Sequence, residues 1–175
     1  MKKSYKEIMN DITTFIFDVD GVLTDGSVHI TSTGEMLRTM NIRDGFAMKA
    51  AVESGYNVCI ISGGHNDGVR IRLQNLGIND IYLASPNKVV TFNEYKALYN
   101  INPEQVLYMG DDIPDYLVME LVGLPTCPLD ASPEIKKISN YISHKNGGKG
   151  AVRDVIEQVM KVQGKWHLYY HGKHD

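Results

Sequence analysis

Short apolar runs alternate with helix-like stretches along most of this chain, and that alternation limits its fold more than any other feature. The strand-like runs are "TFIFDVD" (14–20), "NVCIIS" (57–62), "DIYLA" (80–84), "QVLYMG" (105–110) and, more weakly, "LPTCPL" (124–129) and "NYISH" (140–144). Between them lie "GFAMKAAVESG", "NDGVRIRLQNLG", "KVVTFNEYKALYN" and "PDYLVMELVG", with "GAVRDVIEQVMKVQG" after the last run. Gly55, Gly77 and Gly123 close three of these stretches and Pro114 opens one, as helix ends favour. Such an alternation predicts right-handed βαβ units: an α/β fold with a doubly wound, mainly parallel sheet and helices on both faces. At 175 residues and 43% apolar, the chain suits one domain over 1–164 with a tail at 165–175.

One segment interrupts the pattern. About two dozen residues separate Asp20 from the helix expected near Gly45, where a βα loop normally has about 2–6. Within it, "SVHITSTGEMLRTMNI" reads as a β-hairpin over about 27–42, with "STG" as its turn. It is too short for a cap domain, and its edges invite pairing with another copy of itself.

In a parallel sheet the ligand crevice lies beyond the strand C-termini. Asp18 and Asp20 stand there on the first strand, two residues apart and so able to face one site. A lone Asp before Gly21 reads as a turn residue, but two acids this close repel and call for a cation or shared chemistry. The second strand ends in Ser62, Gly63 and Gly64, a hydroxyl and open backbone N–H groups suited to a phosphate oxygen, although Ser-Gly-Gly is also a common turn. Lys88 opens the helix after the third strand. The fourth ends in "GDDIPD", with Asp111, Asp112 and Asp115, oxygen donors for a hard cation such as Mg²⁺. Each feature alone is a weak signal; four strand ends agreeing on a phosphate–metal site is a strong one.

Together, "DVDGVLTDG", "SGG", Lys88 and "GDDIPD" resemble the four motifs of the haloacid dehalogenase superfamily in its phosphatase branch. The finer similarity is to the 3-deoxy-D-manno-octulosonate 8-phosphate (KDO 8-phosphate) phosphatase family, through "DGVLTDG", the hairpin, "NIRDG" and "GGKGAVRD". The resemblance implies an Mg²⁺-dependent phosphatase of KDO biosynthesis, on the way to lipopolysaccharide. In it Asp18 is the nucleophile and Asp20 the acid–base. Asp18, the Asp20 carbonyl and Asp111 hold the metal, and Ser62, Gly63 and Lys88 hold the phosphate. It also implies sugar contacts at Asp20, Asn41, Arg43, Asp44, Gly45, Lys49, Gly64, Arg72 and Lys88, with Asp112 and Asp115 as supporting candidates. For Arg43, Lys49 and Arg72, a solvated helix charge is an equally good reading. Many relatives carry Arg directly after the motif-two Gly, and a nine-carbon keto-acid phosphatase carries Glu; Gly64 leaves space there and no specific contact. The resemblance points to a homotetramer whose hairpins meet in a shared core.

Other classes fare less well. A non-catalytic oligomerisation module, like the phosphatase-like domain fused to some CMP-sialate synthetases, need not keep all the catalytic residues found here. A receiver domain would not place its acceptor in a DxD pair on the first strand, and no GxGxxG follows that strand to suggest a dinucleotide. A net charge of −3 gives no general attraction to nucleic acid or anionic membrane, and no apolar run spans a bilayer. Two separated cysteines and an N-terminus without a signal-peptide core fit the cytoplasm. The tail carries His167, His171 and His174 among Trp166, Tyr169 and Tyr170. It reads as a frayed end with incidental histidines or as a flap over a neighbour's site. "GGKGAVRD", with Lys149, reads as a phosphate-binding or a structural turn.

Overall fold

The structure is a computed structural model that describes residues 4–166. Helix α1 (Tyr5–Met9) leads into the central strand β1 (Thr14–Phe17). The hairpin follows, as β2 (His29–Ile30) and β3 (Met36–Leu37), then α2 (Ile42–Glu53). The wound core continues through β4 (Asn57–Ile61), α3 (Asp67–Asn75), β5 (Asp80–Tyr82), α4 (Lys88–Tyr99) and β6 (Val106–Met109). A 3₁₀ turn (Ile113–Asp115) runs into α5 (Tyr116–Met119), followed by β7 (Leu124–Cys127), α6 (Pro133–Ile138), β8 (Tyr141–Ile142) and α7 (Ala151–Val162).

The six strands pair in parallel in the order β5-β4-β1-β6-β7-β8. The chain winds outward from β1 through β4 to β5, then returns to β6 on the other side of β1. That reversal opens a crevice between the ends of β1 and β6. Side chains alternate across β1. Phe15 and Phe17 pack in the layer formed with α1, α2 and α7, and Ile16 packs against Phe92, Tyr95, Val118 and Ile135 of α4, α5 and α6. Helices therefore cover both faces, and the sheet's centre strands are buried throughout.

Two short helices, α1 and α6, escaped the sequence reading. At 5 and 6 residues they are too brief to show a periodic face. Helix α2 begins at Ile42, earlier than Gly45, because Asn41 caps it by accepting from the Arg43 N–H at 2.8 Å. The hairpin is antiparallel, pairing His29 with Leu37 and Ile30 with Met36. Trp166 is buried, edge-on to Phe46 and stacked with Arg153, so the tail's first aromatic belongs to the core. The histidines of the tail lie outside the described residues.

Candidate active site

Asp18 is the first residue past β1. Its backbone still follows the sheet, donating to the Met109 carbonyl of β6, and the chain then turns sharply. The Val19 carbonyl accepts from the N–H groups of Val22, Leu23 and Thr24. Gly21 makes the bend with φ +85°, and any Cβ there would strike the Asp111 carboxylate. The tight "DGVLT" turn and Asp111 are thus mutually required.

Lys88 binds this site together. Its ammonium lies 2.7 Å from Asp18 Oδ2 and 2.6 Å from Asp115 Oδ1, with its side chain only 6% exposed. Asp115 is held at both oxygens: Oδ1 also accepts from the Tyr108 hydroxyl at 2.8 Å, and Oδ2 accepts from the Asp111 N–H at 3.1 Å. Carboxylate oxygens of Asp18, Asp111 and Asp115 lie within 4.8 Å of one another. Three carboxylates face one ammonium, so the fully ionised cluster carries an excess of two negative charges. Burial, then the charge of Asp115, raises the Asp18 carboxyl from 3.8 to about 7. Burial, then Asp18 and Asp115, does the same to Asp111. For Lys88, burial alone pulls downward, but Asp18 and Asp115 outweigh it and the ammonium is held more firmly than usual. This donor set is deficient by one divalent, oxygen-seeking cation. Asp115 takes three of the cluster's bonds and Asp18 takes two, from Lys88 and from the Val19 N–H at 2.7 Å, and Asp18 and Asp111 are the candidate carboxylates for it.

Ser62 leaves β4 buried, its Oγ accepting from the Gly64 N–H at 3.2 Å. Asp18, Asp20, Ser62, Gly63, Gly64, Lys88, Asp111, Asp112 and Asp115 line one cleft of about 300 Å³. Asp112 is exposed and makes no side-chain cap to the following turn.

The residues expected at the sugar end behave differently. Asn41 caps α2 and donates to the Gly148 carbonyl, and the buried Asp44 accepts from the Arg153 N–H at the start of α7. Burial raises the Asp44 pKa, partly offset by the N–H groups of Arg153 and Gly150. Lys49 pairs loosely with Glu53, and Arg43 is exposed. None of these four lines the cleft. Gly45 serves Arg72, since a Cβ there would lie 2.7 Å from its guanidinium. Arg72 lines a separate cavity of about 650 Å³ with Met36, Arg38, Met40, His65 and Asn66.

"GGKGAVRD" forms a structural clasp. The Gly148 N–H donates to the Val22 carbonyl, and the Gly147 N–H donates to Asp130. A Cβ on Gly147 would collide with the Gly21 carbonyl. Lys149 reaches Asp25 at 3.8 Å with its side chain mostly exposed. The segments "DGVLTDG", "NIRDG" and "GGKGAVRD" thus interlock behind the cleft.

Two residues of the site carried no signal in the sequence. Tyr108 reads as an ordinary apolar strand residue, yet its hydroxyl steadies Asp115. Arg38 reads as a hairpin surface charge. Its Nε lies 2.8 Å from Asp20 Oδ1 and its Nη2 lies 3.1 Å from Oδ2, a two-pronged ion pair. The space expected to be left open at Gly64 is filled by this pair. A Cβ on Gly64 would lie 3.0 Å from Asp20 Oδ2 and 3.3 Å from Arg38 Nη2.

Comparison with known proteins converges on this geometry. A haloacid dehalogenase-like hydrolase family profile matches residues 65–156. The 3-deoxy-D-manno-octulosonate 8-phosphate phosphatase KdsC of Salmonella typhi is 40% identical over 155 residues, 89% of this chain and 82% of that protein. The solved phosphatase of the same name from Yersinia pestis superposes with a TM-score of 0.91 at 35% identity, over 93% of this chain and 88% of that one. A third, from Moraxella catarrhalis in complex with magnesium, phosphate and KDO, gives 0.91 at 29% identity over 95% of both chains.

Proposed function

This chain belongs to the haloacid dehalogenase-like hydrolases, and within them to the 3-deoxy-D-manno-octulosonate 8-phosphate phosphatases; on that premise we propose the role of each residue in its cleft. The protein is a Mg²⁺-dependent phosphoric monoester hydrolase that converts KDO 8-phosphate and water to KDO and phosphate. The observation that carries this is the convergence of four strand ends on one charge-deficient cleft, with Lys88 between Asp18 and Asp115.

Asp18 attacks phosphorus, forming an aspartyl-phosphate as the bond to the sugar oxygen breaks. Asp20 gives its proton to that departing oxygen. It then takes a proton from the water that attacks phosphorus and frees Asp18. Ser62, the Gly63 N–H and Lys88 hold the phosphoryl oxygens as charge shifts among them. Asp115, fixed by Tyr108, keeps Lys88 aimed at the cleft. Asp18, Asp111 and the Asp20 backbone carbonyl hold Mg²⁺, which, when bound, offsets the cluster's charge and draws phosphate toward the nucleophile.

The assembly we propose is a homotetramer formed through the hairpins. Val28, Ile30, Met36 and Leu37 are all exposed, with Ile30 at 70%. His29 and Leu37 face one side of the hairpin, and Ile30 and Met36 face the other, so each side offers apolar surface. The two buried free thiols accord with placing the reaction in the cytoplasm. Among the described residues, no helix is long and apolar enough to cross a membrane.

The test is phosphate release from KDO 8-phosphate, a nine-carbon keto-acid phosphate and a hexose phosphate, each with Mg²⁺ or a chelator. Selective, Mg²⁺-dependent turnover of KDO 8-phosphate is expected; equal kcat/KM on all three would overturn the substrate assignment.

A further inference from the structure

The hairpin is built inside out. Its apolar side chains point to solvent, whereas the side chain that follows β3, Arg38, is a cation only 6% exposed. Removing a guanidinium from water is costly unless geometry and partners compensate. Here Asp20 takes both prongs of the fork, and Arg38 Nη1 also donates to the Met36 carbonyl at 3.3 Å. That same carbonyl accepts from Asn66 Nδ2 at 3.0 Å, and Asn66 caps α3 by accepting from the Val69 N–H. A continuous polar path therefore runs from the start of α3, through the hairpin backbone, to the carboxylate of Asp20. Asp20 needs such support. It lies past the end of β1 and its side chain is 36% exposed, so packing surrounds it on part of its surface only.

We propose that Arg38 is the positioning residue for Asp20, so that the hairpin sets the orientation of the proton donor, and that Gly64 is the slot that admits the guanidinium. The proposal rests on the assignment of Asp20 as the acid–base. In the first half-reaction the Asp18–phosphorus bond forms and the phosphorus–oxygen bond to the sugar breaks. To act as the acid, Asp20 takes a proton from solvent on Oδ2 as the Nη2 prong opens, keeps Nε on Oδ1, and passes that proton to the leaving oxygen. A proton donor acts only when held close to its target oxygen, so freeing the Asp20 rotamer slows this transfer. Substrate binding by Ser62 and Lys88 is left in place.

The consequence is a dependence on leaving group that a merely structural role would not produce. A sugar phosphate leaves as an alkoxide and needs the proton, whereas p-nitrophenyl phosphate leaves as a stabilised phenolate without it. Arg38→Ala is expected to lower kcat/KM for KDO 8-phosphate on the order of 100-fold and that for p-nitrophenyl phosphate less than about 5-fold. The loss should fall on kcat rather than KM. Arg38→Lys keeps the charge without the fork and should recover part of the rate. Gly64→Ala leaves Arg38 intact but presses on the pair, and should show the same selective loss in milder form. It also carries the test if Arg38→Ala does not fold, as judged by circular dichroism. Equal losses on both substrates, or no loss on either, would overturn the proposal. Repeating the ratio with a simple alkyl phosphate separates the two assignments. Wild-type failure on KDO 8-phosphate alone would sink the named substrate, while the alkyl-to-aryl ratio would still decide the role of Arg38.

Discussion

The cleft and the hairpin break the ordinary rule of burial in opposite directions. At the cleft, Asp18, Lys88 and Asp115 are charged and buried; on the hairpin, Ile30, Met36 and Leu37 are apolar and exposed. Buried carboxylates in excess call for a cation, and apolar strands facing solvent call for another surface. The two regions meet at Arg38, the hairpin's charge, seated on the cleft's acid. Rigidity therefore comes to the cleft from the sheet behind it and from a hairpin tied to α3 through Asn66.

The strongest way to break the contrast is to remove charge from the cleft. Asp18→Asn should cut turnover on the order of 10⁴–10⁶-fold, because an amide is no nucleophile. Its melting temperature should hold or rise, since a repelling buried carboxylate is gone. Loss of fold along with activity would show that Asp18 is a structural member of the cluster instead.

Removing the metal comes next. A chelator should silence the enzyme, and Mg²⁺ should revive it. Stability gives a second readout with a definite sign. Asp18 and Asp111 titrate near 7 in the fold against 3.8 ordinarily, so between those values the folded chain holds protons that the unfolded chain has released. Stability of the metal-free protein should fall as pH rises through that window. Mg²⁺ should then raise the melting temperature more at pH 7.5 than at pH 5, measured by calorimetry. A metal-induced rise that is equal at both pH values would contradict the charge-deficit account.

The hairpin is challenged by the reverse manoeuvre, adding charge where apolar surface is exposed. Ile30→Lys with Met36→Lys leaves Arg38 in place. Sedimentation should shift from tetramer to smaller species, with KDO 8-phosphate turnover down by about 10-fold or more as the hairpin loses support. An unchanged tetramer would locate the interface elsewhere. The smallest expected effect is Tyr108→Phe. It removes one hydrogen bond from Asp115 and should cost about 1 kcal/mol of stability, with a few-fold fall in kcat as Lys88 loosens. Denaturant unfolding and steady-state kinetics check the two halves separately.

These contrasts also explain how much was legible beforehand. The sheet, the position of the cleft and the chemical residues at four strand ends follow from hydrophobic periodicity and from the rule that parallel sheets bind at their C-terminal edge. The sugar-end residues were less transparent. Asn41 and Asp44 carry polar groups of the right kind, but side-chain type does not say whether a group faces a ligand or caps a helix. Here both cap, Asn41 at α2 and Asp44 at α7. "GGKGAVRD" was open between two readings for the same reason, until its contacts with Gly21 and Val22 placed it behind the cleft.

The sequence by itself determined the α/β class, the strand ends that form the cleft and the charge types they carry, because each depends on local pattern and on chain order around one sheet. Only the tertiary structure decided that Asp115 joins Asp18 in holding Lys88, that Tyr108 holds Asp115, and that Arg38 reaches across to Asp20 over Gly64. Those pairings join residues 7 to 27 positions apart in the chain. Local periodicity carries no information at that range, and close packing of the folded backbone fixes which of several equally suitable partners comes within hydrogen-bond distance.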